Sequence, residues 1–470
     1  MTHAVVVGSG PNGLSAAVEL AAAGVEVTVL EARARVGGGA RSCEGGIVAG
    51  LVQDECSAVH TMGPTSAFVI RHRLGDYGLE WLSAPIDMVH PLDGGSAGVL
   101  HRSVQDTAAG LGADGTRWRR LFGWPSEHFG ALSEDIFQPL IRIPRHPIGM
   151  ARFGMPTLVP AATLGRYFRT PAAQALFGGV AAHAFQPLNR PLSSAIGLGI
   201  LTAGHHSGWV VARGGTQAIT DAMVARLTEF GGKIETGVRV ERAAQLPRAD
   251  ITVFDLTPED VVRILGDRLP RRIARSFTRF RHSPGAFKVD FAVEGGVPWT
   301  NPDAHRAGTV HLGGDLAEIV RTEAQVVAGQ MPQRPFVLVG QQYLADPSRS
   351  AGNVHPLYSY AHVPHGYPGD ATEAIIGQIE RFAPGFRDRI VGMAVRSTTQ
   401  MAVYNANYVG GDIITGAKDV RQLVFGPRIT ASPYTIGVPG MYICSAATPP
   451  GPGAHGMCGY NAARLALSKL

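Results

Sequence analysis

Runs of β-branched residues alternate with stretches of helical periodicity near the start of the chain. Residues 4–7 form a continuous apolar run, which predicts a buried strand. A helix is expected to begin near Leu14 and to end at Gly24. Residues 25–30 then form a second apolar run with strand character. The order strand, helix, strand predicts a βαβ unit with parallel strands.

The same kind of pattern returns farther along the chain. A helical stretch at 218–230 precedes a β-run, and a last apolar strand leads through a Gly/Pro-rich loop into a helix beginning near Gly456. An alternating segment, FKVDFAV, predicts a strand that is buried on one face. The strands predicted in this way are 233–240, 287–293, 336–343 and 441–444.

Composition indicates a large enzyme-like chain. With 470 residues and 45% apolar content it can bury a substantial core, and 60 glycines with 32 prolines favour many loops. No apolar run has the length of a membrane-spanning helix, and the first residues lack the features of a secretion signal. We therefore expect a cytoplasmic location.

A glycine loop follows the first strand directly. Gly8, Gly10 and Gly13 fill the pattern G-x-G-x-x-G, with Pro11 and Asn12 between the last two. Such glycines allow a tight turn and close approach to a diphosphate, which the helix dipole attracts. Glu31 ends the second strand, where its carboxylate can accept hydrogen bonds from the ribose hydroxyls of an adenosine. Its negative charge disfavours the 2′-phosphate of NADP.

A second G-x-G-x-x-G match provides an internal control. Gly110, Gly112 and Gly115 satisfy the spacing, but no β-run precedes them and charged residues surround them. We interpret this match as a loop between helices. No second dinucleotide unit is then predicted, so electrons are expected to come from an organic substrate and to leave to oxygen or a quinone.

A second glycine cluster distinguishes FAD from NAD. Glu31 is followed by the residues Ala32, Arg33, Arg35, Gly37, Gly38, Gly39, Ala40 and Arg41. Successive glycines with a nearby arginine can wrap a diphosphate. This run resembles the motif after the second strand in FAD proteins of the amine oxidase and phytoene desaturase type.

The end of the chain carries a matching resemblance. Residues 440–465 are similar to the C-terminal flavin signature of phytoene-desaturase-like proteins, above all the branch named pyridine nucleotide-disulfide oxidoreductase domain-containing protein 2. The resemblance implies that the last helix points its N-terminus at the flavin. It also implies flavin-proximal positions at Ala446, Ala447, Thr448, His455, Gly456 and Met457.

The resemblance extends to the middle of the chain and implies the fold. After Gly214 and Gly215, a backbone amide near Val238 is expected to meet the adenine. The predicted class is α/β, with a Rossmann-like FAD-binding domain of the GR2 type and an inserted mixed α+β substrate domain. The FAD-binding domain would comprise 1–85, 205–280 and 400–470, and the substrate domain 86–204 and 281–399.

Neither cysteines nor histidines suggest further redox or metal chemistry. The cysteines at 43, 56, 444 and 458 form no C-x-x-C pair, which excludes a redox dithiol. His205 and His206 are expected on a strand, facing opposite sides, and His355, His362 and His365 in a loop without a clear carboxylate partner. No metal site is predicted.

The predicted function is FAD-dependent oxidation of an apolar small molecule, as desaturation or isomerisation, by hydride transfer to flavin N5. Two alternatives stay open: an amine oxidase, and a non-catalytic binding protein on the same fold. His60 is a candidate near the flavin ring, with a structural histidine as the alternative. Lys288 is a candidate proton relay, because amine oxidases place a lysine near N5.

Charge adds a surface prediction and excludes one partner. The net charge is +5, but the basic residues are dispersed and no nucleic-acid motif appears, so nucleic-acid binding is not expected. Residues 136–169 mix arginines with apolar residues, which fits a membrane contact or a substrate entrance, or ordinary helices and turns. Ser468, Lys469 and Leu470 form a peroxisomal address if the host is eukaryotic. Nothing in the sequence excludes an oligomer.

Overall fold

The computed structural model of the protein describes residues 2–470. Its strands in chain order are β1 His3–Val7, β2 Glu26–Glu31, β3 Ser42–Glu44, β4 Val52–Asp54, β5 Trp81–Leu82, β6 Ile86–Pro91, β7 Ala97–Leu100, β8 Val211–Ala212, β9 Lys233–Thr236, β10 Ile251–Phe254, β11 Gly285–Glu294, β12 Ala307–Leu312, β13 Val337–Gly340, β14 Val354–Val363, β15 Ile390–Arg396 and β16 Met441–Ile443.

The helices are α1 Pro11–Ala22, α2 Ala67–Arg71, α3 Val104–Gly110, α4 Gly115–Glu127, α5 Phe129–Ile136, α6 Pro147–Thr157, α7 Ala161–Gly165, α8 Pro171–Ala181, α9 Ser194–Ser207, α10 Gln217–Glu229, α11 Pro258–Leu265, α12 Arg271–Thr278, α13 Leu316–Val327, α14 Thr372–Phe382, α15 Thr398–Tyr404, α16 Val420–Phe425 and α17 Met457–Leu467. None of the helices in residues 2–470 has the length and apolarity to cross a membrane.

A parallel sheet forms the first half of the fold. Its strands run in the order β16-β10-β1-β2-β9. Helices α1, α10 and α17 pack on one face and α11 and α12 on the other. Because both faces are covered, β1 and β10 are continuous apolar runs rather than alternating ones.

The predicted strands of this sheet are confirmed at 4–7, 25–30 and 441–444, with small shifts at their ends. The strand predicted at 233–240 is shorter, because β9 ends at Thr236 and Gly237 takes a positive φ of 74°. The strands predicted at 287–293 and 336–343 correspond to β11 and to the four-residue β13.

A mixed sheet in the order β15-β11-β14-β13-β12-β6-β7 forms the second half. Its neighbours are antiparallel except β12 and β6, which run parallel. In β11, Phe287 and Val289 pack with α14 on one face, and Lys288 and Asp290 face the other side. On that other side, strands β6, β13 and β14 pack against α4, α8 and α9. The α/β class with an added mixed sheet is thereby confirmed.

Two secondary-structure predictions for histidines are wrong. His205 and His206 lie in α9, whose apolar run packs against α8 as a helix, and not on a strand. His355 and His362 lie on β14. Pro356 pairs there with Ala292 of β11, and its other side is free because β14 pairs with β13 only from Tyr358 onward. His362 also has a carboxylate partner, since its Nδ1 lies 2.8 Å from Glu323 Oε1.

The second glycine match lies between helices as predicted, because Gly110 ends α3 and Gly115 begins α4. The predicted domain boundaries stay a prediction. Two of them, at 204/205 and at 399/400, fall inside α9 and α15.

Candidate functional site

A cavity of about 910 Å³ runs from the carboxyl ends of β1 and β2 to the helix-covered face of the mixed sheet. Crevices at the carboxyl ends of parallel strands are where α/β folds bind ligands. The predicted cofactor residues that line its wall are Gly8, Gly10, Pro11, Asn12, Glu31, Ala32, Arg33, Gly38, Gly39, Ala40, Arg41, Val238, Ala446 and His455. The structure thus brings residues from both ends of the chain to one cavity.

The glycine loop closes tightly around the start of α1. A β-carbon at Gly13 would lie 2.0 Å from the Gly8 carbonyl oxygen, so only glycine allows the helix to lie this close to the loop. A β-carbon at Gly38 would lie 2.8 Å from the Gly10 Cα. The two glycine clusters therefore meet backbone to backbone, and their amides border the cavity without side chains between them.

Glu31 is held at the end of β2 by several donors. Its Oε2 accepts the Ser9 N–H at 3.0 Å and also the Ser9 hydroxyl. Its Oε1 accepts the Arg33 N–H at 2.8 Å and lies 3.6 Å from Arg41 Nη2. The carboxylate is thus fixed in the cavity wall with its charge partly balanced by one arginine.

Arg41 is a buried cation beside the second glycine cluster. Its Nε donates to the Arg35 carbonyl at 3.1 Å, and its guanidinium lies 5.5 Å from the centre of the Tyr404 ring. Tyr404 in turn donates its hydroxyl to the Gly38 carbonyl at 2.9 Å. These contacts orient a positive charge toward the part of the cavity that the glycine loops border.

Asp255 is a wall residue that sequence reasoning missed. It follows β10, and its Oδ2 accepts the Gly13 N–H at 2.9 Å at the start of α1. Burial, together with the nearby Glu31 charge, raises the pKa of Asp255 to about 7. The only available signal was an acidic residue at the end of a strand that joins β1.

The C-terminal segment closes the cavity from another side. Ala446 and His455 line it, and the His455 Nδ1 accepts the Met457 N–H at 3.0 Å. Burial lowers the pKa of His455 to about 4, so this ring is neutral. Gly456 caps α17 with a φ of 70°. The residues predicted for this site that do not line the cavity are Gly13, Ala447, Thr448, Gly456 and Met457.

Val238 lies in the wall, but its amide is already in use. The Val238 N–H donates to the Glu31 carbonyl oxygen at 2.8 Å. An adenine contact at this position would therefore need another group of the 238–240 segment, which lines the cavity as a whole.

The two candidate catalytic residues, His60 and Lys288, lie outside the cavity wall. The Lys288 ammonium bonds to the Asp290 carboxylate and lies 4.3 Å from the centre of the Tyr358 ring, which itself lines the cavity. The His60 Nε2 lies 3.1 Å from Thr216 Oγ1, and burial lowers the pKa of this histidine to about 4. Their catalytic roles stay predictions.

The half of the cavity away from the glycine loops is mostly apolar. Its floor is formed by Leu338, Tyr358 and Tyr360 of the mixed sheet. Its walls come from α6 and α9 with Trp209, and His183 is a polar group among them. Sequence reasoning missed these residues, because strand alternation alone does not reveal which neighbouring strands share a face.

A buried ion-pair network ties the two halves of the fold together near the cavity. Arg349 Nη1 donates to Asp54 Oδ2 at 2.6 Å, and its Nε lies 3.4 Å from Asp346 Oδ2. Asp54 accepts the Thr216 N–H and Asp346 the Gly214 N–H, each at 2.7 Å. The network thereby holds the turn at 214–216 that leads into α10.

The residues present fit the adenosine diphosphate of FAD. Glu31 offers carboxylate oxygens for ribose hydroxyls, and the touching glycine loops form a cradle that side chains would fill. Asn12 Oδ1 is buried in the wall and has no hydrogen-bond partner within residues 2–470. Over the same range no cluster of three or more His, Cys, Asp or Glu side chains is arranged for a metal ion, and the four cysteines are free thiols.

Comparisons with known proteins agree with a flavin site in this cavity. The family model "Flavin containing amine oxidoreductase" matches residues 12–269, more than half of the chain. Hydroxyneurosporene desaturase of Cereibacter sphaeroides is 30% identical over 383 residues, which cover 74% of this chain and 72% of that protein. Pyridine nucleotide-disulfide oxidoreductase domain-containing protein 2 of Rattus norvegicus is 24% identical over 305 residues, 57% of this chain and 52% of the rat protein. This match therefore spans about half of the rat protein.

Solved structures share the fold. Wild-type putrescine oxidase bound to putrescine superposes with a TM-score of 0.63 at 17% identity, covering 100% of this chain and 98% of that chain. At this identity the likeness concerns the fold alone. The predicted FAD-binding α/β fold and FAD as the cofactor are confirmed, and the chain belongs to the flavin containing amine oxidoreductase family of FAD-dependent oxidoreductases.

Proposed function

We propose that this FAD-dependent oxidoreductase desaturates or isomerises an apolar small molecule. The observation that supports this most is the continuity of one cavity from the glycine loops to the apolar chamber over the mixed sheet. FAD, when bound, supplies a hydride acceptor at N5 of its ring. The protein's own part is to hold the substrate carbon in the chamber and to exclude water from it.

The charges of the cavity wall favour a neutral substrate over an amine. Glu31 and Asp255 are the acidic residues among those that line the described cavity, and both lie at the glycine-loop end. A protonated amine in the apolar chamber would therefore find no carboxylate to pair with, and an unpaired buried charge is costly. This favours a neutral molecule of the kind named in the desaturase relatives over the diamine of putrescine oxidase.

The catalytic residues form part of this proposal. We propose that Lys288 is a proton relay for the chamber. The Tyr358 ring lies between the Lys288 ammonium and the cavity. His60, bonded to Thr216 and neutral by burial, would position the wall around residues 57–62 rather than transfer a proton. Oxygen or a quinone would reoxidise the flavin.

We further propose that the segment 136–169 is the substrate entrance and touches a membrane surface. Ile143 and Ile148 are 91% and 85% exposed, and Arg142, Arg145 and Arg152 lie in the same segment. Met150 and Phe153 of α6 line the cavity, so one helix separates the chamber from this exposed apolar surface. An apolar substrate could then enter without crossing water, while the arginines meet anionic lipid.

An anaerobic reduction assay tests the function. The FAD-loaded protein is mixed without oxygen with an acyclic polyene, with its fully saturated counterpart and with putrescine, and the visible absorption of oxidised flavin is followed. Desaturation of the polyene transfers two electrons to the flavin and should bleach it, whereas isomerisation leaves the flavin oxidised and should instead change the absorption of the polyene itself. Bleaching with putrescine alone would favour the amine oxidase alternative, and failure to bind FAD would favour the non-catalytic one.

The entrance is tested by co-sedimentation with phosphatidylcholine vesicles that contain phosphatidylglycerol. We expect the native protein to sediment with them and the double variant Ile143→Ser, Ile148→Ser to stay in the supernatant. The control variant Val403→Ser changes an exposed apolar residue on α15, outside this segment. Equal sedimentation of all three proteins would contradict the proposal.

A further inference from the structure

Three histidines lie in and behind the wall of the apolar chamber, and the proposed function does not use them. His183, which follows α8, lines the chamber, and its Nε2 lies 3.1 Å from His311 Nε2 on β12. His311 and His90 on β6 are fully buried. Two strands, β6 and β12, and the turn after α8 thus place His183 in the chamber wall and the other two rings behind it.

All of these rings are neutral. Burial lowers the pKa of His183 to about 3 and that of His90 to about 4, and it lowers the pKa of His311 well below its ordinary value. A neutral imidazole carries its hydrogen on one nitrogen only. The contacts of each ring therefore decide which of its nitrogens is a donor.

The contacts of His90 show which of its ring nitrogens carries the hydrogen. Its Nε2 lies 2.8 Å from the Gly314 carbonyl oxygen, which can only accept, so Nε2 carries the hydrogen and Nδ1 is a bare lone pair. That Nδ1 faces the Cα of Gly179 on α8, where an added β-carbon would lie 2.5 Å from it. A lone pair tolerates a neighbouring C–H group, whereas an N–H directed at the same group would be repelled and unpaired.

The contacts of His311 likewise show which of its ring nitrogens carries the hydrogen. Its Nδ1 is buried without a hydrogen-bond partner in the described chain, and a β-carbon at Gly179 would lie 3.2 Å from it. A buried N–H without an acceptor is rare, so the hydrogen of His311 belongs on Nε2. The only close partner of that hydrogen among the described residues is His183 Nε2, which must accept it.

The remaining hydrogen is then on His183 Nδ1. We infer that His183 presents a fixed N–H donor to the chamber, and that the substrate is an apolar molecule with a neutral oxygen, such as a carbonyl or ether, that accepts this hydrogen bond. A protonated amine has no lone pair to accept it. This inference rests on the proposed function for its view of the chamber as a substrate site, but the donor itself does not.

The donor is tested directly by histidine-selective nitrogen NMR on the FAD-loaded protein, with His183→Asn used to assign the signal. We expect the Nδ1–H form for His183 and the Nε2–H form for His311. The reverse arrangement would overturn the inference. This readout does not depend on turnover, so it separates a failed donor from a failed proposed function.

Ligand preference is tested with three probes that differ at one carbon: cyclohexyl phenyl ketone, benzylcyclohexane and cyclohexyl(phenyl)methanamine. Dissociation constants are measured by equilibrium dialysis against the FAD-loaded protein. One buried hydrogen bond to a neutral group predicts that the ketone binds about fivefold more tightly, relative to the hydrocarbon, in the native protein than in His183→Phe. The protonated amine should bind most weakly to the native protein.

Matched variants keep the result interpretable. His183→Asn places an amide N–H near the position of Nδ1 and should retain part of the preference for the ketone. His206→Phe removes a histidine of α9 that bonds to the Ser126 carbonyl and does not line the cavity, and it should leave the preference unchanged. A ketone preference that survives in His183→Phe, or that is lost equally in His206→Phe, would overturn the inference.

Discussion

Replacing Asp255 by Asn should change how the stability of the protein depends on pH. The carboxyl is buried at the start of α1 and its pKa rises from an ordinary 3.8 to about 7 in the folded chain. The difference of roughly three pH units corresponds to ~4 kcal/mol, at ~1.4 kcal/mol per unit. Between these two pKa values only the unfolded chain is ionised, so the folded chain binds one more proton and the free energy of unfolding falls as pH rises.

Asp255→Asn removes this pH dependence of the free energy of unfolding. It keeps the local hydrogen bond, because the Asn Oδ1 can still accept the Gly13 N–H. From about pH 5 to about pH 8 the native protein should lose ~3 kcal/mol through this one group. The free energy of unfolding of Asp255→Asn, relative to the native protein, should therefore be higher by that amount at the upper pH. Urea unfolding of both proteins without FAD, at the two pH values, measures it.

The control for Asp255→Asn is a nearby exposed carboxylate. Asp250→Asn, at the exposed residue just before β10, reports the general effect of deleting one carboxylate from the same strand region. If the difference between Asp255→Asn and the native protein is the same at both pH values, the carboxyl is not protonated in the folded state near neutrality. The assignment of a raised pKa to Asp255 would then be wrong.

Three further changes test other parts of the structure. Arg349→Met should lower the free energy of unfolding by ~3–5 kcal/mol, since it leaves buried carboxylates unpaired, whereas Arg387→Met, at an exposed ion pair, should change urea unfolding little. Gly13→Ala should abolish retention of FAD during gel filtration, because its β-carbon would meet the Gly8 carbonyl, while Gly130→Ala, whose β-carbon would meet nothing beyond its own helix within 4 Å, should retain it. Lys288→Met should slow anaerobic flavin reduction by the substrate, and unchanged reduction and reoxidation rates would refute a proton-relay role for this lysine.

The cofactor end of the cavity was predictable from the sequence because its parts are local. The first strand, the glycine loop and Glu31 lie within one βαβ unit, whose spacing alone orders them. The partner at 440–465 was found through its own strand, loop and helix pattern. Residues of this kind carry their geometry in short stretches of chain, and most of them do line the cavity.

The chamber end was not predictable because its residues meet through strand register. His183 meets His311 across 128 positions of sequence, and His90 meets the Gly314 carbonyl across 224. Nothing local in the sequence marks these partners. The histidines of β14 were assigned to a loop for the same reason, since the sequence does not show that Pro356 pairs with β11 on one side while β13 leaves its other side unpaired.

The weak anchoring of α6 has a kinetic consequence. Phe153 is the buried residue of this helix, so α6 has little apolar contact to lose when it detaches from the chamber. Segments with so few buried contacts open at a small fraction of the global unfolding free energy. Amide hydrogens of α6 should therefore exchange far sooner than those of α9. For the proposed entrance through 136–169, the arrival rate of a bulky ligand would follow the opening rate of a single helix rather than diffusion to the protein.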